Sequence, residues 1–348
     1  MKGFKKLLVM LMVMTLTLGL IGCGKKSTSN NSNTSNVTNS ETNQETENKE
    51  TADSNETTNE TESTDSSEAA ETVDTQVTYP VDLTDSDGKV ITIESAPEKI
   101  VSVAPNMTEL VFLLGEGDKV IGRSDYCDTP AEVTNIPSVG TLYTPDIEAI
   151  VALEPDVVLV STHFDEENEQ KLKDLGITVL CLYEEHDIYG VYTMIETLGT
   201  LLNRVDEANG LVQNMKDTFE SVTTAIEGQE QPTVYYVVGY GEYGDYTAGG
   251  DTFVNGLLTL AGGDNVAKDV SGWNYSLESL LEADPDVIIV GIGQAEEFKA
   301  AEHYRDLTAV KEGRVYEFDG YHLFDRQGYS NAEGVKELAK LLYPDLVK

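Results

Sequence analysis

The chain has 348 residues, of which 62 are Asp or Glu and 23 are Lys or Arg, giving a formal net charge of -39. Nucleic acid demands a basic surface, so that class of partner is excluded. The acidity keeps the surface and a long N-terminal segment solvated.

Lys2, Lys5 and Lys6 precede an apolar run over residues 7–21, which is shorter than the roughly 20 residues of a membrane-spanning helix. The run ends in Leu20-Ile21-Gly22-Cys23. Residues 1–22 therefore look like a lipoprotein signal peptide, with Cys23 as the lipidated first residue of the mature chain. An ordinary secretory peptide with an incidental cysteine is the alternative. Residues 24–78 are rich in Ser, Thr, Asn, Glu and Asp and hold no aromatic residue; such a stretch cannot bury enough apolar surface to offset its chain entropy. Residues 23–78 read as a lipidated cysteine and a disordered tether, placing the protein on the extracytoplasmic face of the cell membrane. No later segment is apolar enough to cross it.

The folded part begins near Tyr79 and is long enough for two lobes. Residues 81–83 and 90–93 flank Asp87-Gly88, a hairpin signal. A strand is expected at 100–103, then Ala104-Pro105-Asn106 opening a helix at 107–114. Further strands are expected at 157–160, 179–182, 234–238, 287–290 and 315–318, with helices between them, so the fold class is α/β.

Between residues 187 and 227 apolar residues recur at spacings of three and four: Ile188, Val191, Ile195, Leu198, Leu202 and Val205, then Val212, Met215, Phe219, Val222 and Ile226. One buried helical stripe follows. Gly199, Asn203 and Gly210 argue against an unbroken rod, which predicts a bend near Asn203 and a main helix over 205–227, roughly 35 Å long. One sequence is written on both sides of this element. Residues 147–160 (IEAIVALEPDVVLV) match 277–290 (LESLLEADPDVIIV) without a gap. Each copy reads as a short helix, a Pro-Asp turn and a strand buried on both faces. The organisation predicted is an N-terminal α/β lobe over 79–186, linking helices over 187–228 and a C-terminal α/β lobe over 229–348.

Gly239-Tyr240-Gly241-Glu242-Tyr243-Gly244 fits G-x-G-x-x-G, but the residues after it read as loop and not as the helix a dinucleotide turn requires. The better reading is a tyrosine-bearing loop at the carboxyl end of a strand, where open α/β sheets place ligands. There is no G-x-S-x-G elbow, H-E-x-x-H or P-loop, so no enzyme class is indicated and no cofactor or metal site is expected. His163, His186, His303 and His322 are scattered; His163 and His322 follow or adjoin strands, where either a cleft or an ordinary surface position suits them. Glu148 and Glu278 occupy matching places in the first turn of the repeated helices, with Thr144-Pro145 and Ser276 as expected helix starts. The helix dipole favours an acid there, and duplication on both lobes equally suits a symmetric docking role. Whether Cys127 and Cys181 pair is left open by their spacing.

Several segments together resemble the substrate-binding proteins of ABC importers for vitamin B12 and ferric siderophores: residues 100–110 (IVSVAPNMTEL), 124–130 (SDYCDTP), Val139-Gly140, both Pro-Asp repeats and 261–265 (AGGDN). The resemblance covers the whole folded part. It implies two Rossmann-like lobes joined by a single long helix, the class III periplasmic-binding-protein fold, with the ligand held between the lobes. It implies a monomer that works with an ABC permease and its ATPase, and it maps permease docking onto Glu148 and Glu278. For the ligand it points to Tyr126, Trp273, Phe324 and Arg326, with Phe324-Asp325-Arg326 similar to a Phe-Glu-Arg segment at the cleft; Tyr143 and His163, where the family has tryptophans, and Tyr240, from the strand-end loop, complete the expected ligand-binding set. Aromatic faces suit a flat corrinoid, while tyrosine with arginine also suits a ferric siderophore or haem. Departures from the B12 proteins are Leu142 or Tyr143 and residues 161–163 in place of cleft tryptophans, and Tyr329-Ser330-Asn331 in place of a Pro-Arg.

Overall fold

The computed structural model describes residues 76–184, 186–242 and 244–348. The signal peptide, Cys23 and nearly all of the tether lie outside these residues, as does Tyr243. The described residues all fall within one compact unit, and among them no helix is long and apolar enough to cross a membrane.

The N-terminal lobe starts with the expected hairpin, β1 (Val81–Thr84) antiparallel to β2 (Val90–Ile93), turning at Gly88 with φ 78°. Next come β3 (Ile100–Ser102), α1 (Pro105–Leu113), β4 (Val120–Arg123), α2 (Ile147–Ala152), β5 (Val157–Val160), α3 (Glu166–Asp174) and β6 (Thr178–Cys181). Four of these strands form a parallel sheet in the order β4-β3-β5-β6. Helices on its faces bury β3 and β5 completely, as expected of continuous apolar strands.

The C-terminal lobe repeats this plan. Its elements are β7 (Thr233–Tyr236), β8 (Asp245–Tyr246), α6 (Phe253–Leu260), β9 (Asp264–Asn265), β10 (Asn274–Tyr275), α7 (Leu277–Ala283), β11 (Val287–Gly291), α8 (Ala295–Ala300), α9 (Thr308–Lys311), β12 (Val315–Phe318), α10 (Gly320–Leu323) and α11 (Ser330–Leu342), with α4 and α5, described below, preceding β7. The parallel sheet order is β12-β11-β7-β9. The duplicated sequence is duplicated in structure, as α2-β5 and α7-β11, and in each copy the strand is interior to its sheet. Glu154 and Asp284, at equivalent positions, both take left-handed backbone (φ 49° and 38°). The aspartate of each Pro-Asp turn then pins the adjacent strand. Asp156 Oδ2 accepts from the backbone N–H groups of Glu98 and Lys99 at 2.8 and 2.9 Å. Asp286 Oδ2 accepts from the Thr233 backbone N–H and hydroxyl at 2.9 and 2.7 Å.

The lobes are joined by α4 (Ile188–Leu202) and α5 (Val205–Ala225). The connection is thus two helices broken at Asn203 rather than one rod, and α5 runs through Gly210 without interruption. Asn203 ends α4 in left-handed backbone (φ 56°, ψ 43°), a conformation that Asn tolerates and branched residues do not. Its side-chain oxygen accepts from the backbone N–H of Val77 at 2.8 Å. Gly199 is required because a Cβ there would lie 2.4 Å from Cβ of Ala208 across the break. Met215, Phe219 and Val222 continue the buried stripe into the core shared with α6 and α11.

Replacing Asn203 with Val is expected to destabilise the protein by about 1–2 kcal/mol, the cost of left-handed backbone for an L side chain with a Cβ. Asn203→Gly, which avoids that strain, should cost less. Urea unfolding of the two variants checks this, and a Val variant as stable as the parent would show that the break does not depend on Asn203.

Candidate functional site

All strands of both four-stranded sheets are parallel, and their carboxyl ends open onto one cleft of about 1000 Å³. Residues just past β5 (Thr162, His163) and past β6 (His186) line it from the N-terminal lobe. Residues past β7 (Val238), β11 (Ile292) and β12 (Asp319, Tyr321, His322) line it from the C-terminal lobe, together with Trp273. Ligand sites of open α/β sheets form at such ends.

Trp273 is placed by a backbone clamp. Thr247 N–H donates to the Trp273 carbonyl at 2.9 Å and Gly249 N–H to the Gly272 carbonyl at 2.8 Å, while Asp251 accepts from Gly272 N–H at 2.7 Å. Gly249 and Gly250 lie so near this segment that a Cβ on either would come within 2.4 and 1.8 Å of a carbonyl oxygen. Trp273 is left 43% exposed beside Val238 (51%), Ile292 (65%) and Tyr321 (47%). Apolar side chains this exposed, gathered in one concave wall, mark a binding surface.

On the opposite lobe Asp125 N–H donates to the Gly140 carbonyl at 2.8 Å, and Ser138 Oγ donates to Asp125 at 2.7 Å. These bonds bring two loops together. Tyr126 and Tyr143 meet edge to face with ring centroids 6.2 Å apart, and Tyr143 meets His163 likewise at 5.0 Å. His163 Nδ1 is hydrogen-bonded to Thr162 Oγ1 at 2.7 Å. Of the residues named from the sequence, His163 and Trp273 line the cleft from opposite lobes, while Tyr126 and Tyr143 are exposed beside His163, outside the lining.

The other three expected ligand contacts, Phe324, Tyr240 and Arg326, are packed against protein. Phe324 is fully buried against Phe318 and Tyr236, at centroid distances of 4.8 and 5.9 Å, and forms part of the floor of the cleft. Tyr240 turns away from the cleft and wedges against Phe298 and Tyr304 (5.0 and 5.6 Å). Arg326 is only 6% exposed, its guanidinium engaged by both oxygens of Asp128 at 2.7 and 3.1 Å. The glycine loop after β7 leads into β8 and not into a helix, which disposes of a dinucleotide turn. Cys127 and Cys181 are free, buried thiols. Glu148 and Glu278 are exposed in the first turns of α2 and α7, outside the cleft lining. Their helices are capped by Asp146 and Ser276, so Asp146 takes the place expected of Thr144.

Two carboxylates at the cleft are perturbed in opposite directions. Hydrogen bonding to Arg326 lowers Asp128 to about 2. Asp325, exposed but partly desolvated by the cleft and near the negative charge of Asp319, is raised to about 6. Among the described residues no three His, Cys, Asp or Glu side chains form a group that could hold a metal ion. Sequence reading missed Ile292, Tyr321 and Asp128; position just after β11 and β12 was the available signal for the first two.

The comparisons agree with this geometry. The family model described as periplasmic binding protein matches residues 100–321, and the chain belongs to that family, whose members are binding proteins and not enzymes. It is 34% identical over 278 residues to YvrC, an uncharacterised ABC transporter substrate-binding lipoprotein of Bacillus subtilis, covering 78% of this chain and 88% of that one. It is 31% identical over 228 residues to a cobalamin-binding protein of Halobacterium salinarum, covering 63% of this chain and 60% of that one. A solved ABC transporter substrate-binding protein from Listeria monocytogenes superposes with TM-score 0.62 at 25% identity, covering 72% of this chain and 100% of that one. The fold is the class III periplasmic-binding-protein fold, with two Rossmann-like lobes.

The Asp325 carboxyl yields a pH prediction. Because folding raises its pKa from the ordinary value of 3.8 to about 6, its contribution is fully favourable below about pH 4 and is lost as pH rises through 6. Asp325→Asn should therefore be more stable than the parent at pH 7, with the difference vanishing below about pH 4. Melting temperatures of the pair across pH 4 to 8 check this, and a pH-independent difference would contradict it.

Proposed function

We propose that this chain is the substrate-binding lipoprotein of an ABC importer, anchored through Cys23 outside the membrane, which captures a corrinoid in the inter-lobe cleft and delivers it, as a monomer, to the permease and its ATPase. The observation that carries this reading is that exposed His163 and Trp273-Tyr321 line the cleft from opposite lobes, with Tyr143 and Tyr126 extending the His163 group beyond the lining. A flat macrocycle presents two faces, and aromatic rings hold such faces by stacking without fixing a hydrogen-bond pattern. The cleft of about 1000 Å³ is at the large end for small-molecule sites. The likeness to a cobalamin-binding protein supports the same choice. A ferric siderophore or haem is the competing ligand.

Calorimetric titration with cobalamin, cobinamide, haem and ferric siderophores tests the ligand. Tight binding is expected for the corrinoids, weakened by Tyr126→Ala and Trp273→Ala by about 0.5–1.5 kcal/mol each beyond lost burial. Inert corrinoids with a tightly bound ferric chelate would transfer the role to that chelate.

Glu148 and Glu278 serve transport and not capture in this reading. They stand exposed, outside the cleft lining, at the start of matched helices, one on each lobe, where a permease bearing cationic pockets would meet both. Changing both to Ala should leave ligand affinity unchanged and cost about 0.3–1 kcal/mol of stability each through the helix dipole. Uptake should fall at least about tenfold, as expected when an interfacial charge loses its partner. Normal uptake by the folded double variant would reduce the two glutamates to helix-start residues.

A further inference from the structure

Three ties join the segment Arg326-Gln327 of the C-terminal lobe to three separate parts of the N-terminal lobe. Arg326 makes a bidentate pair with Asp128, in the loop after β4, at 2.7 and 3.1 Å. Asn106 of α1 donates from Nδ2 to the Gln327 carbonyl at 3.0 Å. The backbone N–H of Glu184, after β6, donates to Gln327 Oε1 at 3.3 Å. His322 adds a fourth contact: Nε2 lies 3.3 Å from Asp128 Oδ2, and Nδ1 lies 2.8 Å from Asp319 on its own lobe.

Both ends of the ion pair are held from behind. Cys127, next to Asp128, is buried and receives the Thr108 hydroxyl at 3.1 Å with Ser124 at 3.2 Å. On the other side Asn331, fully buried, donates to the carbonyls of Leu323 and Arg326 at 2.8 and 2.9 Å and accepts from Gly328 N–H at 2.7 Å. The guanidinium lies over the Tyr321 ring, 4.6 Å from its centroid, and Arg326 Nε is buried without an acceptor. Among the described residues, Asp128 is the carboxylate hydrogen-bonded to this buried charge. Bidentate geometry fixes orientation as well as distance, so a pair mounted on two hydrogen-bonded loops of opposite lobes can hold them at a set separation.

We propose that Asp128 is a positioning residue for ligand capture, which acts through Arg326 and His322 to set the width of the cleft and hence the fit of a macrocycle between the aromatic groups of the two lobes. The inference rests on the capture role given above. It explains why Arg326, a ligand contact by resemblance, lies buried beside the cleft: its partner is the opposite lobe.

The test uses the full chain with spin labels at Glu166→Cys in α3 and Glu297→Cys in α8, both exposed and away from the pair. Without ligand, Asp128→Asn should broaden and shift the inter-label distance distribution, and Asp128→Glu, which keeps the charge, should restore most of it. Arg326→Gln added to Asp128→Asn should produce little further change, since residues that act as one unit are not additive. Corrinoid affinity of Asp128→Asn should fall at least about fivefold, the lower end of typical couplings between sites. An unchanged distance distribution, or a changed one with unchanged affinity, overturns the proposal. If the unmutated chain binds haem or a ferric chelate in place of a corrinoid, the affinity arm is read with that ligand. Failure of the ligand assignment and failure of the spacing role are then separate results.

Discussion

A sheet whose strands all run the same way gathers its functional loops at one end, and the rest of this structure depends on that constraint. Parallel strands need a crossover between each pair, so loops at the carboxyl ends are free of hairpin duty and can carry exposed side chains. Residues just past strands of both sheets line one cleft. The linking helices make this arrangement durable. At 1.5 Å per residue the 21 residues of α5 extend about 32 Å, and the left-handed break at Asn203 is tied down through Val77 and through the Glu116–Arg204 ion pair.

Electrostatics divide the molecule into regions with different work. The general acidity sits on the tether and the surface, where water screens it. Charges are individually placed: Asp251, Asp319 and Asp325 line the cleft, Asp128 is satisfied across the lobes beside it, and Glu148 and Glu278 stand in solvent away from it. A wall of exposed apolar groups between these charges suits a ligand held mainly by surface contact, with polar groups fixing its orientation.

Much of the fold was legible because its signals are local. The duplicated Pro-Asp repeats carried their own strand and helix periods, and the Pro-Asp aspartates anchor neighbouring strands in both lobes. The bend at Asn203 was readable from residue chemistry alone. Strands β4 and β9 escaped notice because one is interrupted by Gly122 and the other is two residues long; pairing, not pattern, makes them strands. The aromatic cleft residues on the N-terminal lobe and Trp273 came through resemblance. The pairing of Arg326 was not legible because its partner Asp128 lies 198 residues earlier, nor was the packing of Phe324 and Tyr240, because tertiary neighbours decide it.

A macrocycle seated against Trp273 in the inter-lobe cleft, as we propose, would change the emission of that residue. Trp273 is the sole tryptophan of the chain, so its fluorescence reports on that position alone. Titration with cyanocobalamin, corrected for ligand absorbance with free tryptophan, should quench this emission saturably at one ligand per chain. Stoichiometric binding with unaltered Trp273 emission, or no binding, would contradict the account.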